Sequence, residues 1–269
     1  MKIVIVTKAS GQNYSVEAGL HDGEKNFDHH GVHGGNPAPC NNGSITSVPS
    51  DATIEITHSD ADTLLGIMRM LGKSMPNNID LSIIEKIDLN GSSAVSSDSD
   101  ELAYMVAINN ASQTIYKIPR ASAEPQDVTS QVTGIIDYMS NSDKVIQDGK
   151  ELIKKAEKEF QSVTKYVPSN NKNVVAFNVP KEINFDPSRP YRDGYLIVVV
   201  YREIYESISI YANPKANINL LENPVYAGMK FAGHNKACGS ERGQKFTWTD
   251  AVSVITDISN KFTFEKDSV

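Results

Sequence analysis

The sequence predicts an α/β protein of two domains: an N-terminal domain on a parallel sheet and a smaller C-terminal domain with a mixed sheet, separated by a cleft. Three observations lead there. In the first half, short apolar strands alternate with helical patterns, as units with parallel strands require. A long charged amphipathic segment follows over residues 143–166. After it, strand patterns recur at short intervals before one last helix. The expected division is residues 1–142, a connecting helix over 143–168, and 169–269.

Element by element, residues 1–8 read as a strand. Residues 9–50 are rich in Gly, Asn, Ser and Pro and read as one long loop, the kind that is functional or disordered. Thr53, Ile54, Glu55, Ile56 and Thr57 alternate as a strand, and Leu64, Leu65, Ile67, Met68 and Leu71 have helical spacing that Gly72 can end. Asn90-Gly91 marks a turn, and ELAYMVAI is helix or strand. Residues 127–139 and 143–166 read as helices, the second capped by Ser142 or Asp143. A domain boundary is expected near PSNNKN; beyond it NVVAFNV, YLIVVVYRE and SISIYAN are strands, and TDAVSVITDISNKF is a helix capped by Thr249 or Asp250.

Composition narrows the function. Hydrophobic residues are 39% and charged residues 22%, the balance of an ordinary soluble globular chain. No apolar run approaches the ~20 residues of a membrane span; the longest, Leu196 to Val200, reads as a buried strand. MKIVIVTKAS is too short for a signal peptide. Cys40 and Cys238 lie far apart and are expected reduced, in a cytoplasmic protein. The net charge is -7 with no Lys/Arg block, which argues against tracking long nucleic acid. A short phosphate-bearing substrate held by metal ions remains compatible.

Three stretches carry candidate chemistry. His58, Asp60 and Asp62 alternate in HSDAD at the carboxyl end of a strand, where open α/β sheets bind ligands. Strand alternation would put them on one side, and two carboxylates with an imidazole suit Mn²⁺ or Mg²⁺. The plain alternative is a turn whose Asp caps the next helix. FDHHG sets His29 and His30 beside Asp28; it could equally be a surface turn. In FAGHNKACGSERGQ, glycines flank His234 and small residues follow, which allows backbone N–H groups near an anion or a simple glycine-rich hairpin.

Together these stretches resemble the DHH phosphoesterases with a DHH-associated C-terminal domain: DHH at 28–30, the HxDxD pattern at His58, Asp60 and Asp62, and GHxxAxG at 233–239. The order differs from that family, in which HxDxD precedes DHH. The resemblance implies that His29, His58, Asp60 and Asp62 bind metal, with a further aspartate completing a two-ion site. Asp88 is the first choice, ahead of Asp22 and Asp28. It implies that His30, with Asp28, serves the scissile phosphate, and that His234, Gly233, Gly239 and Ser240 bind substrate. Arg120, Arg189, Arg192, Arg202 and Arg242 are candidate phosphate clamps, or solvated surface residues. The expected function is hydrolysis of a small phosphodiester, a short single-stranded oligonucleotide or dinucleotide, dependent on two Mn²⁺ (or Mg²⁺) ions, in a chain able to form a homodimer. Two alternatives are a degenerate relative that binds nucleotide or a protein partner, and a phosphatase of another metabolite.

Overall fold

Runs of Ile and Val favour extended backbone because their branched side chains suit a pleated surface. The computed structural model describes residues 1–116, 124–241, 243–262 and 264. The chain divides into two compact units, residues 1–153 and 154–269, of mixed α/β structure.

In the first unit, β1 (Lys2–Ile5), β2 (Tyr14–Val16), β3 (Asn26–Phe27), β4 (Thr53–Ile56) and β5 (Gln126–Asp127) form one sheet in the order β3-β2-β4-β1-β5. The first four strands are parallel and β5 is antiparallel to β1. Residues 9–50 are therefore not one loop. Their strands of three and two residues are too short to show alternation, and side chains hold them. Ser15 Oγ donates to Asn26 Oδ1 at 2.7 Å, and the buried Glu55 accepts Ser10 N–H at 2.6 Å and Asn13 Nδ2 at 2.7 Å.

The helices of this unit are α1 (Ala61–Met70), α2 (Leu81–Asn90), α3 (Asp100–Ala111), α4 (Gln113–Tyr116), α5 (Thr129–Met139) and α6 (Ser142–Ser162), the last running past residue 153. α1 packs on β2 and α5 on β1. Ile3, Ile54 and Ile56 share a core with Leu64, Ile67 and Met68, all fully buried. ELAYMVAI is helical, with Ser99 Oγ accepting from Leu102 N at the start of α3. Three boundaries differ from the sequence pattern. The helix expected from 127 starts at Thr129, because Gln126 and Asp127 pair with β1 instead. α6 is capped by Asn141, whose Oδ1 accepts from Lys144 N at 3.3 Å; the Ser142 hydroxyl is turned to Asn78. α6 ends at Ser162, and residues expected in it form β6 (Thr164–Tyr166), a strand paired with the next one.

The second unit carries β6, β7 (Val174–Val179), β8 (Ile197–Arg202), β9 (Ser207–Ala212), β10 (Val225–Tyr226), β11 (Met229–His234) and β12 (Ala237–Ser240), in the order β10-β11-β12-β9-β8-β7-β6. β7 and β8 are parallel and the remaining pairs antiparallel. The apolar run of β8 is explained by burial on both faces. Ile197, Val199 and Tyr201 join one core with Val254, Ile255 and Ile258 of α7 (Trp248–Lys261), while Val198 and Val200 join another with Phe177 and Phe185. α7 is capped by Thr247, not Thr249 or Asp250. Asp250 stands three residues on and completes the reciprocal pair, accepting from Thr247 N at 2.7 Å. Among the described residues no helix is long and apolar enough to cross a membrane.

Gly149 has the least room of the described glycines in the first unit. A Cβ there would lie 1.8 Å from the Ala103 carbonyl oxygen, so α6 passes α3 with only a hydrogen between them. Gly149→Ala is expected to destabilise by about 1–3 kcal/mol or more, read as a lower urea midpoint; an unchanged midpoint would contradict this contact.

Candidate metal centre

Three neighbouring parallel strands end in the same register row. Val16 is paired with Phe27 on one side and Ile56 on the other, so the residues that follow, Glu17, Asp28 and Thr57, emerge abreast at the carboxyl edge. DHH follows β3, HSDAD follows β4, and β2 lies between them. The altered motif order therefore still brings both motifs to one edge.

Glu17 was missed by the sequence reading. It sits at φ +53, a left-handed conformation that a side-chain-bearing residue seldom adopts. Both neighbours hold it there: its N–H donates to Phe27 O at 2.9 Å, and Thr57 Oγ1 donates to its carbonyl at 2.6 Å. The residue is 2% exposed; Oε1 has no hydrogen-bond donor, and Oε2 faces His30 Nδ1. Strained backbone fixed by its surroundings is a mark of functional sites. The one signal available in the sequence was an acidic residue two before a glycine in SVEAGL, which is no motif.

The His29 ring is the centre of the cluster. Its Nε2 lies 3.3 Å from Asp88 Oδ2, 3.6 Å from Asp62 Oδ2 and 3.7 Å from Glu17 Oε1. Nε2, Asp62 Oδ2 and Glu17 Oε1 are buried without a well-formed hydrogen bond. Ligands at ~2.1 Å from one octahedral ion lie about 3 Å apart, so these gaps have the scale of a coordination sphere. Asp88, on α2, thus joins the cluster as expected from EKIDLNG. Glu17, His29 and His30 form a second group of ligand atoms within 4.8 Å of one another.

Near the other Glu17 oxygen lies His58, paired in turn with Asp60. His58 Nε2 is 3.1 Å from Asp60 Oδ2 and 3.9 Å from Glu17 Oε2. Thr57 spends its single hydroxyl proton on Glu17 O, so its 2.9 Å contact with His58 is accepted from Nδ1–H. Nε2 is thereby turned to the carboxylates, the orientation a metal-bound histidine needs. HSDAD does not continue as a strand: β4 ends at Ile56, Asp60 caps α1 by accepting from Thr63 N at 2.9 Å, and Asp62 is in the first turn. The ligands meet through a strand end and a helix start, not through alternation.

Asp28, expected in the chemistry, spends both oxygens on backbone: Oδ2 accepts from Gly19 N at 2.6 Å and Oδ1 from His30 N at 2.7 Å. It braces the DHH turn. His30 has a side chain 60% exposed, with Nδ1 2.5 Å from Glu17 Oε2 and 3.6 Å from Asp28 Oδ1. Asp22 turns away from the cluster, its oxygens taking N–H groups of Glu24, Lys25 and Asn26.

Charge crowding shifts the protons. Asp88 holds the His29 imidazolium up against the opposing effect of burial, with Glu17 and Asp62 adding to it. Asp28 and Glu17 lift His30 to about 11. Burial, then the charges of Glu17, Asp60 and Asp88, push Asp62 well above the carboxylate range, and burial raises Glu17 despite His30 and His29. Burial also raises Asp28, but its hydrogen bonds to His30 and Gly19 prevail and hold it at about 2. Burial beside Asp62 keeps Cys40 a thiol; Cys40 and Cys238 are both free and buried.

The other expected site residues lie in the second unit. β11 and β12 form a hairpin in which His234 pairs with Ala237 and stands exposed. Gly233, at φ +150, brings the strands close: a Cβ would lie 2.5 Å from Ala237 O. Gly239 pairs with Ser209, and Ser240 Oγ accepts from Ile208 N at 3.2 Å. Arg189 is taken by Glu157, at 2.8 and 2.7 Å, and by Asp193 at 2.8 Å. Arg192 lies in the same charged group, and Arg202 donates to Phe185 O at 3.2 Å. Arg120 and Arg242 lie outside the described residues.

No family model matches the chain, and no curated protein matches it. Among solved structures, an uncharacterized protein from Helicobacter pylori G27 is similar at 9% identity. The match covers 88% of this chain and 74% of that one with a TM-score of 0.25, too low to carry an argument.

Two outcomes follow from this geometry. Glu17→Gly relieves the positive φ and removes a buried carboxylate, so the metal-free protein should gain about 1 kcal/mol in urea denaturation while losing stabilisation by Mn²⁺; a wild-type response to Mn²⁺ would remove Glu17 from the site. The raised His30 contributes stability below the free histidine value of 6.5 that diminishes above it and is lost as pH rises through about 11. A cation entering the cluster displaces protons, so the calorimetric heat of Mn²⁺ binding should depend on the buffer's ionisation enthalpy near pH 7. No buffer dependence would contradict proton-laden ligands.

Proposed function

We propose that the protein is a metal-dependent phosphoesterase that hydrolyses a small phosphodiester, a short oligonucleotide or a dinucleotide. The observation that carries the reading is the buried imidazole nitrogen of His29 faced by three carboxylates, with its own and the facing atoms of Glu17 and Asp62 lacking any other partner. Carboxylate and imidazole donors suit Mn²⁺, with Mg²⁺ the second choice. His29, Asp62, Asp88 and Glu17 Oε1 would hold one ion. His58 and Asp60, with Glu17 Oε2 nearby, would hold a second. The resemblance of the DHH and HxDxD stretches to DHH phosphoesterases supports phosphoryl chemistry, and the net charge of -7 favours short substrates over long ones.

Divalent ions in such a site supply Lewis acidity at a phosphoryl oxygen and acidify water. The chain's own contribution is orientation. Asp28 fixes the His30 backbone, Glu17 and Asp28 flank Nδ1, and the exposed ring offers an N–H to the phosphate oxygen that gains charge. The resemblance assigns substrate contacts to His234 and to the hairpin backbone at Gly233 and Gly239, with Ser240 beside them.

With Mn²⁺, the purified protein should release mononucleotide from a dinucleotide, and EDTA should stop it. Asp62→Ala should abolish turnover, whereas His30→Ala should lower kcat by about 100-fold or more and leave Mn²⁺ bound. Full activity in Asp62→Ala would sink the ligand assignment. Faster cleavage of a phosphomonoester would favour a metabolite phosphatase, and tight Mn²⁺ binding without turnover would favour a binding protein.

A further inference from the structure

We infer that Arg69 is a positioning residue for Asp62, acting through the backbone on both sides of the Cys40 Cα; the inference rests on the metal reading above. Asp62 stands in the first turn of α1 and uses its two oxygens differently. Oδ1 accepts the Cys40 N–H at 2.7 Å, and Oδ2 has no donor and lies 3.6 Å from His29 Nε2. The Cys40 N–H therefore selects which oxygen is left for a cation. The carbonyl of the same residue accepts from Arg69 Nε at 3.3 Å and Nη2 at 3.0 Å. Arg69 lies seven residues after Asp62, on the same face of α1. The helix that carries the ligand thus also carries the side chain that anchors its brace.

Two further contacts tie down residues 38–41. Glu85 of α2, three residues before Asp88, accepts from Ala38 N and from Asn41 Nδ2, each at 2.8 Å. On α1, a Cβ at Gly66 would lie 2.8 Å from Pro39 Cβ, so the segment rests directly on the helix. A segment pinned to both ligand-bearing helices carries little freedom, and the forked guanidinium fixes the Cys40 carbonyl, one peptide on from the N–H that meets Asp62. Residues that orient ligands in this way typically change metal affinity by 10–100-fold when removed.

The test is a mutant cycle read by Mn²⁺ titration calorimetry on the full chain, with melting of the metal-free proteins as the folding check. Arg69→Met should weaken Mn²⁺ binding by about 10-fold, with Arg69→Lys, which keeps one donor, falling between it and wild type. In an Asp62→Ala background Arg69→Met should cause no further loss, because its effect runs through Asp62. Unchanged affinity in Arg69→Met, or the same loss with and without Asp62, would overturn the inference. Should Arg69→Met not fold, the same cycle run with Arg69→Lys decides by the same criterion. A wild-type chain that binds no Mn²⁺ would instead overturn the metal reading, and this inference with it.

Discussion

Glu17, Asp62 and Asp88 all face one imidazole nitrogen in a place where water barely reaches. Burying a carboxylate without a partner costs several kcal/mol, and Asp62 and Asp88 share the single His29 nitrogen with Glu17, which also draws on His30. Such a cluster persists by holding protons or a cation. Glu17, Asp62, His29 and His30 are all shifted upward, the direction of the first solution. The ligand set and the unpartnered atoms support the second as the working state. The surroundings follow from this constraint: the strained φ of Glu17, the backbone donors spent on Asp28, and the brace on Asp62 all keep like charges close together.

Strand order brings two stretches that are far apart in sequence to one edge. β2 lies between β3 and β4, and all three run parallel, so DHH and HSDAD flank one strand end whichever comes first in the chain. The acid that completes the group comes from the strand between them. Parallel strands point their carboxyl ends the same way, which is why ligands concentrate at that edge of open α/β sheets.

Legibility in the sequence followed length and pattern. The α/β class was readable because Ile54 and Ile56 alternate and because β8 is long enough to show a continuous apolar run. His29, His58, Asp60, Asp62 and Asp88 could be singled out because each sits in a dense polar stretch at an element end. Glu17 could not, since its importance lies in a backbone torsion and in neighbours supplied by residues 27 and 57. β2 and β3 were hidden for a related reason: strands of three and two residues carry no period, and their stability comes from Ser15, Asn26 and Glu55. Asp28 read as catalytic because residue type does not reveal that backbone N–H groups would occupy both its oxygens. The caps at Asn141 and Thr247 were misplaced by one to three residues, where several polar side chains competed for the same helix end.

The most direct test of the metal reading is anomalous diffraction from crystals of the wild-type protein grown with Mn²⁺. The account predicts a strong peak about 2.2 Å from His29 Nε2, also ligated by Asp62, Asp88 and Glu17, and a second peak served by His58 and Asp60, near the other Glu17 oxygen. An ordered crystal with no peak in this cluster, and His29 hydrogen-bonded to Asp88 in its place, would contradict it.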